Sequence, residues 1–158
     1  MRLEERILRK KEKEITKTDE IESIIRKSKV CRLGLADDGW PYIVPLCFGY
    51  SNNALYFHSA KEGKKIEILK RNNQVCFEFD IHPELKPGKT ACAWGVKYRS
   101  VIGYGKALLI EDPEQKRQAL DIIMAQYADG PFEYSQKSFN QALVIKVDIT
   151  EMSGKKSD

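Results

Sequence analysis

Residues 96–110 constrain the fold more than any other part of the chain, because their alternation of side chains predicts one long β-strand. Neighbouring residues of a strand point to opposite faces of its sheet. One face carries Arg99, Val101, Gly103, Gly105 and Ala107, and the other carries Tyr98, Ser100, Ile102, Tyr104 and Lys106. A strand of this length is typical of a β-barrel, in which strands bend around the core.

Five shorter segments show the same alternation and are separated by turn signals. They span residues 30–36, 40–50, 54–59, 74–80 and 142–149. The sequences DDG at 37–39 and SNN at 51–53 are typical of tight turns between antiparallel strands. No regular strand–helix alternation indicates parallel units. The pattern therefore predicts a mainly β domain of the α+β class, built as a six-stranded antiparallel barrel.

Three short helices are expected at the periphery of this barrel. The first begins at Thr18 or Asp19, either of which can cap it, and ends near Lys29. The second follows the third strand, and the third starts with Pro113. Residues 82–89 contain two prolines and a glycine, so they are expected to form a loop.

The composition fits one domain and excludes several classes of protein. The chain has 158 residues and 42% apolar content, enough for one core but too little for two ordinary domains. We expect that domain at residues 18–152, between a charged arm at 1–17 and a polar tail at 153–158. The 27 Lys and Arg residues lie in mixed runs with 23 Asp and Glu, which argues against nucleic-acid binding. No apolar run approaches the roughly 20 residues that span a bilayer, and no signal-peptide core is present, so we expect a cytoplasmic protein.

The cysteines and the common catalytic motifs point to no metal or hydrolytic centre. Cys31, Cys47 and Cys76 fall in strand-like segments and are expected to be reduced and half-buried. Cys92 lies in a less regular segment and either lies near a ligand or has a packing role, of which the packing role is expected. The chain has neither metal-ligand spacing nor a serine-hydrolase elbow, a phosphate loop or a dinucleotide fingerprint, so no metal site is predicted.

A cluster of hydroxyl and cationic side chains follows the third predicted strand. Ser59, Lys61, Lys64 and Lys65 surround the expected start of the next helix, whose first backbone N–H groups are free. Together these donors fit a phosphate dianion. Ser59 and Glu62 also match an S-x-x-E capping box, and lysines of a short helix often form a solvated face, so both interpretations stay open.

Other residues break the usual rules of strands, as residues near a functional site often do. Pro45 cannot donate a ladder hydrogen bond, so its strand lies at a sheet edge or bulges. Gly103 and Gly105 serve either tight curvature or the packing of a flat ligand. Arg99 is a cation on a face that continues as apolar or small residues. His58 is either a half-buried strand residue or a group that protonates a reactant.

Four motifs occur in order along the chain, at residues 30–35, 41–46, 56–65 and 94–103. They read VCRLGL, PYIVPL, YFHSAKEGKK and WGVKYRSVIG. Together they resemble the Nim-type nitroimidazole-resistance proteins, which belong to the flavin-binding split barrels similar to pyridoxamine-phosphate oxidase. The resemblance runs over residues 14–154 and so implies a split β-barrel for nearly the whole chain.

The resemblance also implies a homodimer that binds FMN in a cleft between its subunits. The lysines and the serine would hold the phosphate, the second strand would run along the isoalloxazine, and the long strand would approach the flavin. The implied cofactor contacts are Val44, Pro45, Leu46, His58, Ser59, Lys61, Lys64, Lys65, Tyr98, Arg99 and Ser100. Among them, His58 resembles the histidine that this family places beside the reacting centre.

The function implied is that of an FMN-dependent oxidoreductase. NAD(P)H or another reductant would charge the flavin, which would pass electrons to a small acceptor such as a nitro-aromatic, with His58 as proton donor. No counterpart of the oxidase's C-terminal substrate-binding segment is found, which argues against pyridoxamine phosphate as substrate. The alternatives are a flavin- or haem-binding module without turnover, and an interaction barrel that binds no cofactor.

Overall fold

The structure is a computed structural model that describes residues 11–158. Its strands are β1 (Glu14–Ile15), β2 (Cys31–Asp37), β3 (Trp40–Leu46), β4 (Gly49–Ser51), β5 (Ala54–Ala60), β6 (Gln74–Lys86), β7 (Gly95–Ile110) and β8 (Ala142–Ser157). Its helices are α1 (Thr18–Lys27), α2 (Lys64–Arg71), α3 (Pro113–Ala125) and α4 (Gln136–Gln141), and short 3-10 turns lie at Lys11–Lys13 and Ala91–Ala93.

The eight strands of the described chain belong to one antiparallel sheet in the order β3-β2-β6-β7-β8-β5-β4, and β1 pairs with β8. The sheet curls around the main core without closing, so β3 and β4 are its two ends. This architecture confirms the predicted mainly β split barrel with peripheral helices. The strand number differs from the six expected, because the chain leaves the sheet at Cys47 and Phe48 and because β1 adds a short strand.

The core follows the alternation that the sequence shows. Leu55 and Phe57 of β5 are fully buried, whereas His58 on the opposite face of the strand is exposed. The other strands fill the same core with Leu33, Phe77, Phe79, Val101, Ile145 and Val147. Helix α1 covers one opening of the barrel with Ile21, Ile24 and Ile25, and a smaller cluster below α3 joins Ala119, Leu120, Ile123 and Val144.

Gly103 and Gly105 of β7 face neighbouring strands at very short range. A Cβ on Gly103 would lie 2.2 Å from the Cζ atom of Phe77, and one on Gly105 would lie 2.5 Å from the carbonyl oxygen of Asp148. The β7–β8 register shifts by one residue between Tyr104 and Gly105. The glycines thus serve curvature and close strand packing, the first of the two roles considered for them.

Both ends of the described chain pair as strands of the sheet, which the sequence does not predict. Ile15, expected in a charged arm, is buried and pairs with Gly154 of β8. Residues 153–157, expected as a polar tail, continue β8 and pair with β7. Residues 1–10 of the predicted arm lie outside the described residues. Strand β1 has only two residues, too few for an alternation of side chains to mark it in the sequence.

Residues 82–86 were expected in a loop but belong to β6. His82 has a φ of 53°, and the pairing with β7 shifts between Ile81 and Glu84 before it resumes at Lys97. A bulge of this kind takes up Pro83, which cannot donate a ladder hydrogen bond. Strand β6 therefore continues beyond Pro83, although a proline in the sequence predicts the end of a strand.

The starts of α1 and α3 agree with the sequence, but the residue that caps α1 differs from those expected. Helix α1 has Lys17 at its N-cap, so neither Thr18 nor Asp19 caps it, and it ends at Lys27. Helix α3 begins as expected, with the Asp112 carboxylate accepting a hydrogen bond from the backbone N–H of Gln115 at 3.0 Å. Helix α4 was not predicted, although Ser135 supplies an N-cap signal for it.

Substitution of Gly103 by Ala should destabilise the fold strongly. The added methyl would overlap Phe77 and the Glu151 carbonyl oxygen, and such overpacking costs about 1–3 kcal/mol or more. Urea unfolding measures the change. Gly95→Ala is the matched control on the same strand, because a Cβ at that position would have no neighbouring atom within 4 Å, and its free energy of unfolding should stay within about 0.5 kcal/mol. Equal stability of both variants would contradict the packing described for β7.

Candidate functional site

The start of α2 carries the cations that the sequence singled out. Gly63 is the N-cap residue, with a φ of 121° that favours glycine, and the helix begins with Lys64 and Lys65. The first backbone N–H groups of a helix have no acceptor within it, so they add donors beside these two ammonium groups. Ser59 lies in β5 and does not cap α2, which removes the capping-box interpretation.

The two lysines are held differently. Lys64 places its Nζ 4.9 Å from the centre of the Tyr42 ring, so its cation lies over an aromatic face of β3. Lys65 is half-buried, and this burial lowers the pKa of its ammonium group. Within residues 11–158 neither lysine forms an ion pair with a carboxylate. The start of α2 therefore offers positive charge that no described acidic side chain neutralises.

Strand β3 lies beside this helix start and forms one edge of the sheet, as Pro45 predicts. Val44 and Leu46 are half-buried and pack against the core, whereas Pro45 is exposed on the opposite face, paired with Arg32 of β2. The register is regular through Pro45, so the strand tolerates proline as an edge rather than as a bulge. Tyr42, Val44 and Leu46 thus form a partly open apolar strip that begins at Lys64.

Ser59 and His58 lie on opposite faces of β5. Ser59 is half-buried and pairs with the buried Leu143, whereas His58 is exposed and pairs with Val144. The imidazole makes no hydrogen bond with any residue of the described chain. One chain therefore does not bring the serine hydroxyl and the imidazole to the same face.

Lys61 is directed to a different place from the other two lysines. It lines a cavity between α2 and α3 together with Lys70 and Lys116. Lys116 was not among the predicted site residues. It lies four residues before Leu120 and seven before Ile123, a spacing that places it on the same buried face of α3. A lysine on that face is the signal that the sequence contains. The predicted cluster of three lysines thus divides, with Lys64 and Lys65 on one side and Lys61 on the other.

Tyr98, Arg99 and Ser100 lie near the start of β7. The Arg99 guanidinium donates hydrogen bonds to the Asp158 carboxylate at 2.6 Å and to the Tyr98 carbonyl at 3.1 Å. Tyr98 and Arg99 line a cavity of about 360 Å³, which α1 closes on one side with Lys27 among other residues. The charge of Arg99 is therefore partly neutralised by Asp158, and Arg99 lies near α1 and the last described residues.

The two groups of predicted site residues are far apart within one chain. Ser59 pairs with Leu143, next to Val144, which pairs with Ile110 at the far end of β7. The ten residue steps from Ser100 to Ile110 correspond to about 33 Å along the strand. Strands β2 and β6 also separate β3 from β7 within the sheet. The structure brings together the α2 and β3 residues but not the Tyr98–Ser100 segment.

Tyr127, two residues after the end of α3, contacts the connection between β3 and β4. Its hydroxyl accepts a hydrogen bond from the Phe48 backbone N–H and donates one to the Lys29 carbonyl, both at 2.9 Å. Burial raises its pKa to about 12, so the hydroxyl stays protonated. This pair of bonds fixes the chain immediately after Leu46, where it leaves β3 for β4.

The cysteines match their expected positions only in part. Cys31 is buried, which raises the pKa of its thiol, and Cys76 is half-buried, whereas Cys47 is exposed because it lies between β3 and β4. Within residues 11–158 no three His, Cys, Asp or Glu side chains converge as a metal site would require. Among the same residues, no helix has the length and apolar character needed to cross a membrane.

Comparison with known proteins identifies the family to which this barrel and its cationic helix start belong. Residues 17–156 match the family model described as pyridoxamine 5'-phosphate oxidase. The chain is a member of this family, and its resemblance to the Nim-type branch is supported by a solved structure at 42% identity. No curated protein sequence matches the chain.

Three solved structures illustrate the range of similar proteins. A candidate 5-nitroimidazole antibiotic resistance protein from Bacteroides thetaiotaomicron has a TM-score of 0.82 and 42% identity, over 90% of this chain and 86% of that one. An FAD-binding protein from Mesorhizobium loti has a TM-score of 0.67 and 25% identity, over 90% and 96%. An FAD- and haem-binding protein from Mycobacterium smegmatis has a TM-score of 0.84 at 18% identity, over 92% and 74%, and shows the shared fold alone.

Proposed function

We propose that this protein is an FMN-dependent oxidoreductase that acts as a homodimer and reduces a small acceptor of the nitro-aromatic class. The observation that carries this proposal is the contact between Lys64 and Tyr42, which joins the cationic start of α2 to the apolar strip of β3. A phosphate and a flat heterocycle need such a combination side by side. Similarity to a candidate nitroimidazole resistance protein supports the acceptor class, and similarity to an FAD-binding protein supports a flavin.

The residues present fit a flavin mononucleotide. Lys64, Lys65 and the free N–H groups of α2 would hold the phosphate, with the Ser59 hydroxyl as a further donor at the end of β5. Val44 and Leu46 would pack against the ring, and the edge position of β3 leaves backbone groups available beside it. The flavin supplies the electron transfer when it is bound. The protein binds and orients it and limits the access of water to one face of the ring.

Reduction of a nitro group consumes protons as well as electrons, so the site needs a proton donor. His58 is the proposed donor, because its imidazole is exposed and engages no described hydrogen-bond partner. NAD(P)H or another reductant is the proposed electron source. These assignments give His58 a role in the chemical step and none in holding the phosphate.

The separation of the site residues supports the proposed homodimer. About 33 Å of strand lies between Ser100 and Ile110, which is at the Ser59 end of the barrel. If Arg99 and Ser100 contact the cofactor, they would do so in the site of a second copy. Each site would then combine α2 and β3 of one subunit with β7 of the other.

Substitution of Lys65 by Met should weaken FMN binding by about tenfold to a hundredfold. It removes a charge-assisted hydrogen bond to the phosphate, worth about 1.5–3 kcal/mol. Fluorescence titration measures the affinity, and riboflavin, which lacks the phosphate, should bind the wild type and the variant equally. Lys137→Met is the matched control, because Lys137 is exposed on α4. Equal affinity of the wild type for FMN and riboflavin would contradict the proposed phosphate site.

Substitution of His58 by Asn should lower turnover with a nitro-aromatic acceptor by about a hundredfold while leaving FMN affinity unchanged. General acid catalysis contributes about 10²–10⁴ in rate, and an amide cannot deliver a proton at neutral pH. Stopped-flow absorbance separates flavin reduction by NAD(P)H from flavin reoxidation by the acceptor, and the loss should appear only in the second step. A variant with wild-type reoxidation would exclude His58 as the donor.

A heterodimer of two defective chains tests the shared site. Lys65→Met and Arg99→Met homodimers should each bind FMN weakly. The heterodimer, isolated with two affinity tags, should bind one FMN per dimer with wild-type affinity, because one of its sites contains both intact residues. If each site were built from a single chain, both sites would carry a lesion and no tight binding would be recovered.

A further inference from the structure

A second cavity lies between α2 and α3, at the end of the sheet where β5, β7 and β8 meet. Its volume is about 330 Å³, and its apolar part includes Ile66 and Leu143. Three lysines line it, Lys61, Lys70 and Lys116, and among the described residues that line it Glu111 alone is acidic. The lining side chains therefore carry an excess of two positive charges.

Lys116 is the unusual member of this set. Only 7% of the residue is exposed, and its Nζ donates one hydrogen bond to the Ala142 carbonyl oxygen at 2.8 Å. The same Nζ lies 4.5 Å from the centre of the Phe139 ring. An ammonium group has three donors, and a buried charge is ordinarily paired with an opposite charge. In residues 11–158, no carboxylate forms an ion pair with Lys116.

The neighbouring charge of Lys61 makes the buried ammonium group of Lys116 still less favourable. Burial lowers the pKa of the Lys116 ammonium, and the positive charge of Lys61 lowers it further. Lys61 and Lys70 likewise form no ion pair with a described acidic residue. An anion in the cavity would relieve this repulsion and engage the free donors of Lys116.

From the cavity, its lysines and the buried Lys116, we infer that this is a binding site for a small organic dianion, such as a phosphate monoester with an apolar body. The two negative charges match the charge excess of the lining, and the apolar body matches the Ile66 and Leu143 surface. A phosphate-sized head with a single ring or short chain fits the volume. The site differs from the proposed flavin site, since Tyr42, Ser59, Lys64 and Lys65 do not line it.

The test measures phenyl phosphate binding to the FMN-loaded protein by isothermal titration calorimetry. The wild type should bind it, whereas benzyl alcohol, which has a similar body but no charge, should not bind. Lys116→Met keeps most of the unbranched side chain and removes its charge, so phenyl phosphate affinity should fall at least tenfold. Lys137→Met, which lies outside the cavity, should bind like the wild type.

Further variants keep the two sites distinguishable. Lys65→Met should weaken FMN binding but leave phenyl phosphate binding unchanged. If FMN does not bind to the protein, the phenyl phosphate titration is carried out without FMN on the wild type and on Lys65→Met. Lys70→Met, on the exposed end of α2, replaces Lys116→Met if that variant does not fold. No binding of phenyl phosphate to the wild type would overturn the inference. Equal binding by the wild type, Lys116→Met and Lys70→Met would also overturn it.

Discussion

The pairing of β7 with β8 is the interaction on which the rest of the structure depends. These two strands, of 16 residues each, lie in the middle of the sheet. Strands β2 and β3 join them through β6, β4 joins them through β5, and β5 and β1 pair directly with β8. Gly103 and Gly105 allow the close approach that bends the pair around the core. The bend brings the β5–α2 connection to one end of the barrel and the Tyr98–Ser100 segment to the other.

This placement gives the two ends different chemistry. At one end, the helix start with Lys64 and Lys65 adjoins the open apolar edge of β3, a combination suited to an anionic group attached to a flat ring. The same end holds Lys116 in a separate cavity. At the other end, Arg99 is bound to Asp158 beside α1. A site that used both ends would have to be completed by a second copy of the chain.

The sequence predicted the long strands that bury one face in the core. The faces of β6 and β7 follow from Val75, Phe77 and Val101, because alternation persists over many residues. Strand β1 has two residues and shows no such pattern, and the bulge at His82 hides the continuation of β6 behind a proline. The candidate cations were found from their order in the chain. Lys64 and Lys65 lie at the start of α2, whereas Lys61 lines the cavity between α2 and α3. This division depends on the direction of each side chain, which sequence order does not contain.

A crystal structure of the protein with FMN is the most direct test of the central claim, that the start of α2 holds a phosphate whose flavin ring lies along β3. Phosphate oxygens should lie within about 3 Å of donors on Lys64, Lys65 or their backbone, with Val44 and Leu46 against the ring. Arg99 of a second subunit should lie beside the same flavin. A flavin bound elsewhere, with both lysines extended into solvent, would contradict it.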